Sequence, residues 1–411
     1  MTGKIRGTYE IHVGNYDWGC SVDRALITLE EPVSAVDPAD FSVMERKKIT
    51  DRESEDHPLT EASFPRKVED AWLCDERGER VEKSSRRICL SLYVSPEEGS
   101  PLAATSRTEI FVWVSPYELH ISCRNADPDT PELVIDPVCR GKKTAADIFA
   151  KKSYVTSEGI RYDYAEYVPP EDTDTLYVWL HGLGEGQMEG SDAYLPLLGR
   201  KGTTMAGEGF QSMIGGARVL VPQCPTYWMD ADGKQTNFRK GTIEADGTSY
   251  YTRSLEEFID EYARETGAGK IVLAGCSNGG YMCLMLALSR PDRYTAVVPI
   301  CEAVPDQCLS DGQISVLKDV PLYFIYSADD PIVVPEYHEI PTIERLKQAG
   351  AADLHVFAAD KVVDTSGRYK DKDGNPYRYM GHLSWICFDN NETDDGTGLS
   401  AWEWIAGKLG R

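Results

Sequence analysis

The sequence predicts a chain in two parts, an all-β segment followed by a doubly wound α/β sheet. Three observations predict it. Short apolar runs broken by turns continue to Cys123, strands alternate with helices from residue 158 onward, and an abrupt strand–turn–helix is centred on Ser277.

In the first part the runs are Arg24–Leu29, Phe41–Met44, Arg87–Val94 and Glu109–Val114, separated by Pro-, Gly- and Asp-rich turns. Their β-branched and aromatic residues suit a pleated, half-buried surface. Strands this short and this spaced suggest a β-sandwich of immunoglobulin type over residues 1–123, without the Cys–Trp–Cys spacing of antibody domains. Thr50–Pro58 is hydrophilic and reads as an exposed loop. From 124 to 157 the composition turns to Asp, Pro and Lys, and this stretch reads as a linker with Ala126–Pro131 at its core.

Residues 158–411 supply the second part. Candidate strands are Leu176–Leu180, Arg218–Val221, Ile271–Ala274, Ala296–Ile300, Leu322–Tyr326 and Leu354–Phe357. Each is short and mostly apolar, as strands covered on both faces are. Candidate helices are Arg253–Glu265, Gly280–Ser289, Pro341–Gln348 (proline at its first position) and Ser400–Leu409. Ligands of such a sheet bind beyond the carboxyl ends of the strands. Chemically active residues are therefore expected just after strands.

Bulk properties narrow the function. A net charge of −24 over 411 residues opposes nucleic acid and anionic membrane surfaces as partners. No apolar run approaches a membrane span, and the N-terminus has no signal-peptide core. The 11 cysteines are scattered and form no C-x-x-C pair, so no zinc site is expected. A reduced, cytoplasmic location is expected, or secretion if a leader has been removed.

The chemistry gathers around Lys270–Met282. Four apolar residues run into Gly275-Cys276-Ser277-Asn278-Gly279, and Met282, Met285 and Leu286 then repeat with helical spacing. Glycines two residues to either side of a serine permit a strained turn that lifts its hydroxyl above the sheet. A base and an acid should follow the serine in chain order. Among the 7 histidines, His338, His355 and His382 come after it. His338 precedes a helix and His355 falls within a strand, so both read as structural. His382 sits in a loop beyond the last strand, in Gly381-His382-Leu383-Ser384-Trp385, and histidine is the side chain suited to take a proton near neutral pH. The acid should follow Leu322–Tyr326. Asp330 is favoured, because Pro331 fixes a turn and Val333 can anchor the loop, with Asp329 the alternative.

An oxyanion hole needs two backbone N–H groups. One is the amide of Asn278, and the other is expected from Trp179-Leu180-His181-Gly182-Leu183-Gly184-Glu185-Gly186, with Leu183 first and Gly184 second. His181 reads there as a structural hydrogen-bonding residue. These glycines lack the spacing of a phosphate loop. Trp228, after another strand, is a candidate substrate wall, although packing explains it equally well. Glu302 is either a polar pocket group or a buried paired carboxylate, and Trp385 beside His382 is a third substrate-binding candidate. Asp230–Gly233 and Asp371–Asn375 read as turns rather than calcium loops.

Five stretches together resemble α/β-hydrolase esterases that carry an N-terminal immunoglobulin-like domain, related to the polyhydroxybutyrate-depolymerase and feruloyl-esterase-like groups. They are Trp179–Gly186, Val221–Asp230, Gly275–Met282, Val298–Ala303 and Gly381–Trp385, and they span nearly the whole second part. The resemblance implies carboxylester hydrolysis without a cofactor, with Ser277 as nucleophile, His382 as base and Asp330 as acid. It also implies small-molecule esters or esterified polysaccharides as substrates, and a β domain that shapes the entrance or assembles copies of the chain. Leu183 stands where such relatives often have glycine. Two rival readings are a prolyl-oligopeptidase-type peptidase and a binding module with an inactive hydrolase domain. The first part is too short for a propeller, and the second reading would use Trp18, Trp72 or Trp113 as exposed aromatics.

Overall fold

A computed structural model of the chain describes residues 3–54, 57–104, 110–124, 131–239 and 242–411. The chain divides into two compact units, Met1–Arg107 with Val112–Asp147, and Thr108–Phe111 with Ile148–Arg411. Among the described residues no helix is long and apolar enough to cross a membrane.

The first unit contains β1 (Lys4–Tyr16), β2 (Gly19–Val33), β3 (Phe41–Thr50), β4 (Leu59–Arg66), β5 (Val68–Leu73) and β6 (Ser85–Leu92). A short separate pair, β7 (Leu102–Ala104) and β8 (Phe111–Trp113), is followed by β9 (Tyr117–Cys123) and β10 (Glu132–Thr144). Alternate residues of β1, among them Ile5, Tyr9, Ile11 and Val13, are buried, so one face of the strand packs inward. The hydrogen bonding corrects the expected sandwich. Eight strands form one sheet in the order β4-β3-β9-β10-β1-β2-β6-β5, with β1 and β10 parallel. The sheet curls so that Arg66, at the end of β4, donates to the carbonyls of Val22 on β2 and Tyr93 beyond β6, at 2.9 and 2.8 Å.

The expected linker is also corrected. Most of 124–157 is ordered as strand: β10 lies inside the first sheet between β9 and β1, and β11 (Ala150–Val155) is an edge strand of the second. The reason is visible in β10, which carries Asp136, Pro137, Gly141 and two lysines and pairs with β1 through register shifts. Bulges accommodate loop-like residues without ending the strand. The proposed linker core, Ala126–Pro131, lies outside the described residues except for Pro131.

The second sheet adds β12 (Arg161–Tyr167), β13 (Thr175–Leu180) and β14 (Arg218–Gln223), then, after the hairpin of β15 (Phe238–Arg239) and β16 (Thr242–Ile243), β17 (Lys270–Cys276), β18 (Ala296–Ile300), β19 (Leu322–Ser327) and β20 (Leu354–Ala359). Its order is β11-β12-β14-β13-β17-β18-β19-β20. β11, β12 and β14 pair antiparallel, and β14 through β20 are parallel. Every residue of β13, β18 and β19 is buried, which is why these strands read as unbroken apolar runs.

The helices are α1 (Leu195–Leu198), α2 (Glu208–Ile214), α3 (Thr252–Thr266), α4 (Asn278–Ser289), α5 (Asp311–Leu317), α6 (Glu339–Gln348), α7 (Trp385–Asp389) and α8 (Ala401–Lys408). α6 begins two residues before Pro341, which therefore lies inside its first turn rather than at its first position. α4 is buried from Asn278 through Ala287, a helix enclosed on all sides.

Candidate active site

Ser277 joins β17 to α4 with φ 53° and ψ −115°, a left-handed conformation costly for a residue with a side chain. The flanking glycines make the crossing feasible. A Cβ on Gly279 would stand 2.0 Å from the carbonyl oxygen of Leu180, and one on Gly275 would stand 2.7 Å from the same oxygen. Helix α4 thus presses directly on the end of β13, and Ser277 remains partly exposed above it.

His382 Nε2 lies 3.0 Å from Ser277 Oγ, and His382 Nδ1 lies 2.7 Å from Asp330 Oδ2. A carboxylate only accepts, so Nδ1 carries the proton and Nε2 presents its lone pair to the serine hydroxyl. The other oxygen of Asp330 accepts the amides of Ile332 and Val333 at 2.8 and 3.0 Å, which locks the carboxylate in its turn. Asp330 and His382 are both buried. Asp329 is occupied elsewhere, by the Ser327 hydroxyl at 2.6 Å and the Arg378 guanidinium at 2.5 Å. Burial works to raise its carboxyl, but these two donors outweigh it and hold Asp329 below the usual carboxylate range.

The glycine-rich turn after β13 lies beside the serine. Gly182 precedes a short 3-10 turn, Leu183–Glu185, and a Cβ on it would stand 3.8 Å from the Cys276 thiol. His181 is buried, accepts the Cys224 amide on Nε2 at 2.9 Å and places Nδ1 2.6 Å from the Gly182 carbonyl. Burial pushes this imidazole down to about 4, so it stays neutral. Glu185, in the same turn, is pushed up to about 7 by burial, with Arg200 pulling the other way.

Two expected substrate contacts are corrected. Trp228 is fully buried, its ring centroid 5.2 Å from that of His181 and 6.3 Å from that of Tyr162, so it packs the core instead of walling a pocket. Glu302 is fully buried as well and accepts the Val304 amide at 2.7 Å. Burial pushes its carboxyl up to about 8, and its neighbour in charge is the equally buried Glu339. Trp385 is half-buried, its ring edge-on to His382 at 5.6 Å. His338 bonds the Val334 carbonyl and His355 bonds Asp395, both as structural groups.

Two residues beside the site escaped the sequence reading. Cys301, at the end of β18, has φ 35° and offers its sulfur within 4.8 Å of donor atoms of Asp330 and His382. Both imidazole nitrogens and both Asp330 oxygens are already hydrogen-bonded, so this group has little left with which to hold a metal ion. Gln223, the last residue of β14, donates to the Glu185 and Gly186 carbonyls at 2.9 and 3.2 Å. A polar residue ending an apolar strand was the one available signal for it.

The second unit has the α/β-hydrolase fold. The sequence model of a phospholipase/carboxylesterase family matches residues 215–361, which include Ser277 and Asp330. A thermostable esterase of known structure is similar at TM-score 0.71 and 20% identity, covering 94% of this chain and 96% of that one. A ferulic acid esterase is similar over 52% of this chain and 90% of that chain, at 14% identity and TM-score 0.38. An S-formylglutathione hydrolase from Agrobacterium tumefaciens covers 64% of this chain and 95% of its own, at 16% identity and TM-score 0.41. No curated protein matches the chain.

Proposed function

We propose that the chain is a serine carboxylesterase acting on short-chain or aromatic, feruloyl-type acyl esters. The observation that carries the reading is the continuous hydrogen-bonded run from Ser277 through His382 to Asp330, at 3.0 and 2.7 Å. Ser277 Oγ attacks the ester carbonyl carbon as its proton passes to His382 Nε2. The amides of Leu183 and Asn278 receive the oxyanion. The imidazolium, stabilised by Asp330, returns the proton to the departing alkoxide. Water, deprotonated by the same histidine, then releases the acid from Ser277. The substrate is a small ester or an esterified polysaccharide, and the net charge of −24 disfavours a polyanionic one. A propeller-bearing peptidase is disfavoured too, since the described strands of the first unit form one eight-stranded sheet and one short pair rather than a ring of four-stranded blades.

The test is Ser277→Ala. Hydrolysis of p-nitrophenyl acetate and butyrate should fall by about 10⁴-fold or more, and labelling by a fluorophosphonate probe should vanish, with the melting temperature preserved. Turnover retained in that variant would remove the assignment.

A further inference from the structure

The segment Cys224–Trp228, which follows β14, touches both of the turns that carry the proposed oxyanion amides. At one end the Cys224 amide donates to His181 Nε2 at 2.9 Å. Because Nε2 accepts, Nδ1 bears the proton and donates to the Gly182 carbonyl at 2.6 Å. A trans peptide points its C=O and the following N–H in opposite directions, so fixing the Gly182 carbonyl fixes the aim of the Leu183 amide. The Cys224 carbonyl in turn accepts the Gln187 amide at 2.8 Å. Gly186 lies so close that a Cβ there would stand 2.1 Å from the Thr226 carbonyl oxygen.

At the other end the Trp228 amide donates to Asn278 Oδ1 at 2.5 Å. Asn278 is buried, and its Nδ2 finds no partner among the described residues. Burying an unsatisfied donor is costly, and the single bond to Trp228 is what that side chain makes. The segment itself is braced. Thr226 Oγ1 bonds Asp230 at 2.8 Å and the Tyr251 hydroxyl at 2.9 Å, and the Trp228 ring is clamped among Tyr162, His181 and Tyr251.

We propose that Cys224–Trp228 is the spacer that sets the separation and aim of the two oxyanion amides, with the His181 ring and the Asn278 carboxamide as its positioning residues. This rests on the esterase reading and adds to it a role for three side-chain and main-chain contacts that touch no substrate. His181 acts as a neutral ring of one tautomer, so its bridge is present throughout the working pH range of a histidine base.

The experiment compares wild type, Asn278→Ala, His181→Ala and the double variant, each of which keeps the Leu183 and Asn278 amides. The readouts are kcat and KM on p-nitrophenyl butyrate and the affinity for an alkyl boronic acid, whose tetrahedral adduct places an oxygen where the oxyanion forms. Each single variant should lose about 10- to 100-fold in kcat with KM within about threefold, since misplacing oxyanion donors costs rate more than binding. Boronate affinity should fall by the same factor as kcat. Because both contacts act through one segment, the double variant should lose little more than the worse single. A double loss equal to the product of the singles, or an Asn278→Ala variant with wild-type kcat and boronate affinity, overturns the proposal. Should His181→Ala fail to fold, the match between kcat and boronate losses in Asn278→Ala decides alone. A wild-type protein that hydrolyses no ester and takes no fluorophosphonate would instead overturn the esterase reading itself.

Discussion

The Arg66 cluster of the first unit and the Glu302–Glu339 pair of the second bury charge in opposite ways. In the first unit Arg66, Glu45 and Lys47 are buried together. Arg66 donates to two carbonyls and, at 3.0 Å, to Glu98, and lies 3.5 Å from Glu45, while Lys47 reaches the Ser100 carbonyl at 2.7 Å. Cation and anion neutralise one another, and the arrangement holds a curled sheet shut. In the second unit Glu302 and Glu339 are fully buried, and three of their four oxygens find no partner among the described residues. Close by, Ser277 and Cys301 occupy left-handed backbone conformations. Unpaired carboxyls and strained backbone thus gather beside the proposed catalytic residues, as they often do at functional sites.

That contrast can be broken most forcefully at the two adjacent aspartates. Asp330→Asn leaves His382 without a carboxylate on Nδ1 and should reduce kcat by about 10³- to 10⁴-fold. Asp329→Asn disturbs a partly exposed pair with Arg378 and should cost less than about tenfold. Steady-state kinetics on one ester compares them. Equal losses would mean that the acid has been placed on the wrong residue.

In the first unit, Arg66→Ala leaves Glu45 buried beside Lys47 alone and strands two carbonyl acceptors. It should destabilise by about 3–5 kcal/mol, measured by urea denaturation. A loss below about 1 kcal/mol would show the cluster to be incidental.

The last prediction concerns Glu302. With its folded-state value at about 8, the folded protein keeps a proton that the unfolded chain releases above the ordinary glutamate value. Stability should therefore decline as pH rises from about 4.5 to about 8 and level off beyond. The groups that bear on it are Glu339, Asp306 and, through Glu339, Asp330. Glu302→Gln, which cannot ionise, should flatten part of that decline in melting temperature between pH 5 and 9. An unchanged slope would assign the pH dependence elsewhere.

Much of the second unit was legible because its signals are local. Strands buried on both faces are apolar along nearly their whole length, so β13, β17, β18 and β19 announce themselves, and a serine between spaced glycines announces a strained turn. The order of serine, acid and histidine then limited the base to three positions. The first unit was harder. Strand β10 keeps Pro137 and Gly141 within a bulged pairing to β1, and nothing in its composition tells that partner. Short α5 could have been found from Ser310 and Gln313, which form a capping box, but α1 and α7 are single turns whose stability comes from packing. For Trp228 and Glu302 the sequence left a pocket role and a buried role open, since position along a chain does not reveal which way a loop turns, and the structure buries both.

By itself the sequence determined the parallel sheet, the strained turn at Ser277 and the few residues able to act with it, because backbone strain and burial on both faces restrict residue choice at each position. The sequence favoured Asp330 over Asp329 from its local turn, and the tertiary structure brings Asp330 to His382. Asp329 and Asp330 are chemically identical neighbours: Asp329 bonds Ser327 and Arg378, the latter 49 residues further along the chain, while Asp330 meets His382. The same holds for His181 and Cys224, joined across 43 residues. Contacts between distant segments depend on how the sheet brings its strand ends together, and no local pattern records that.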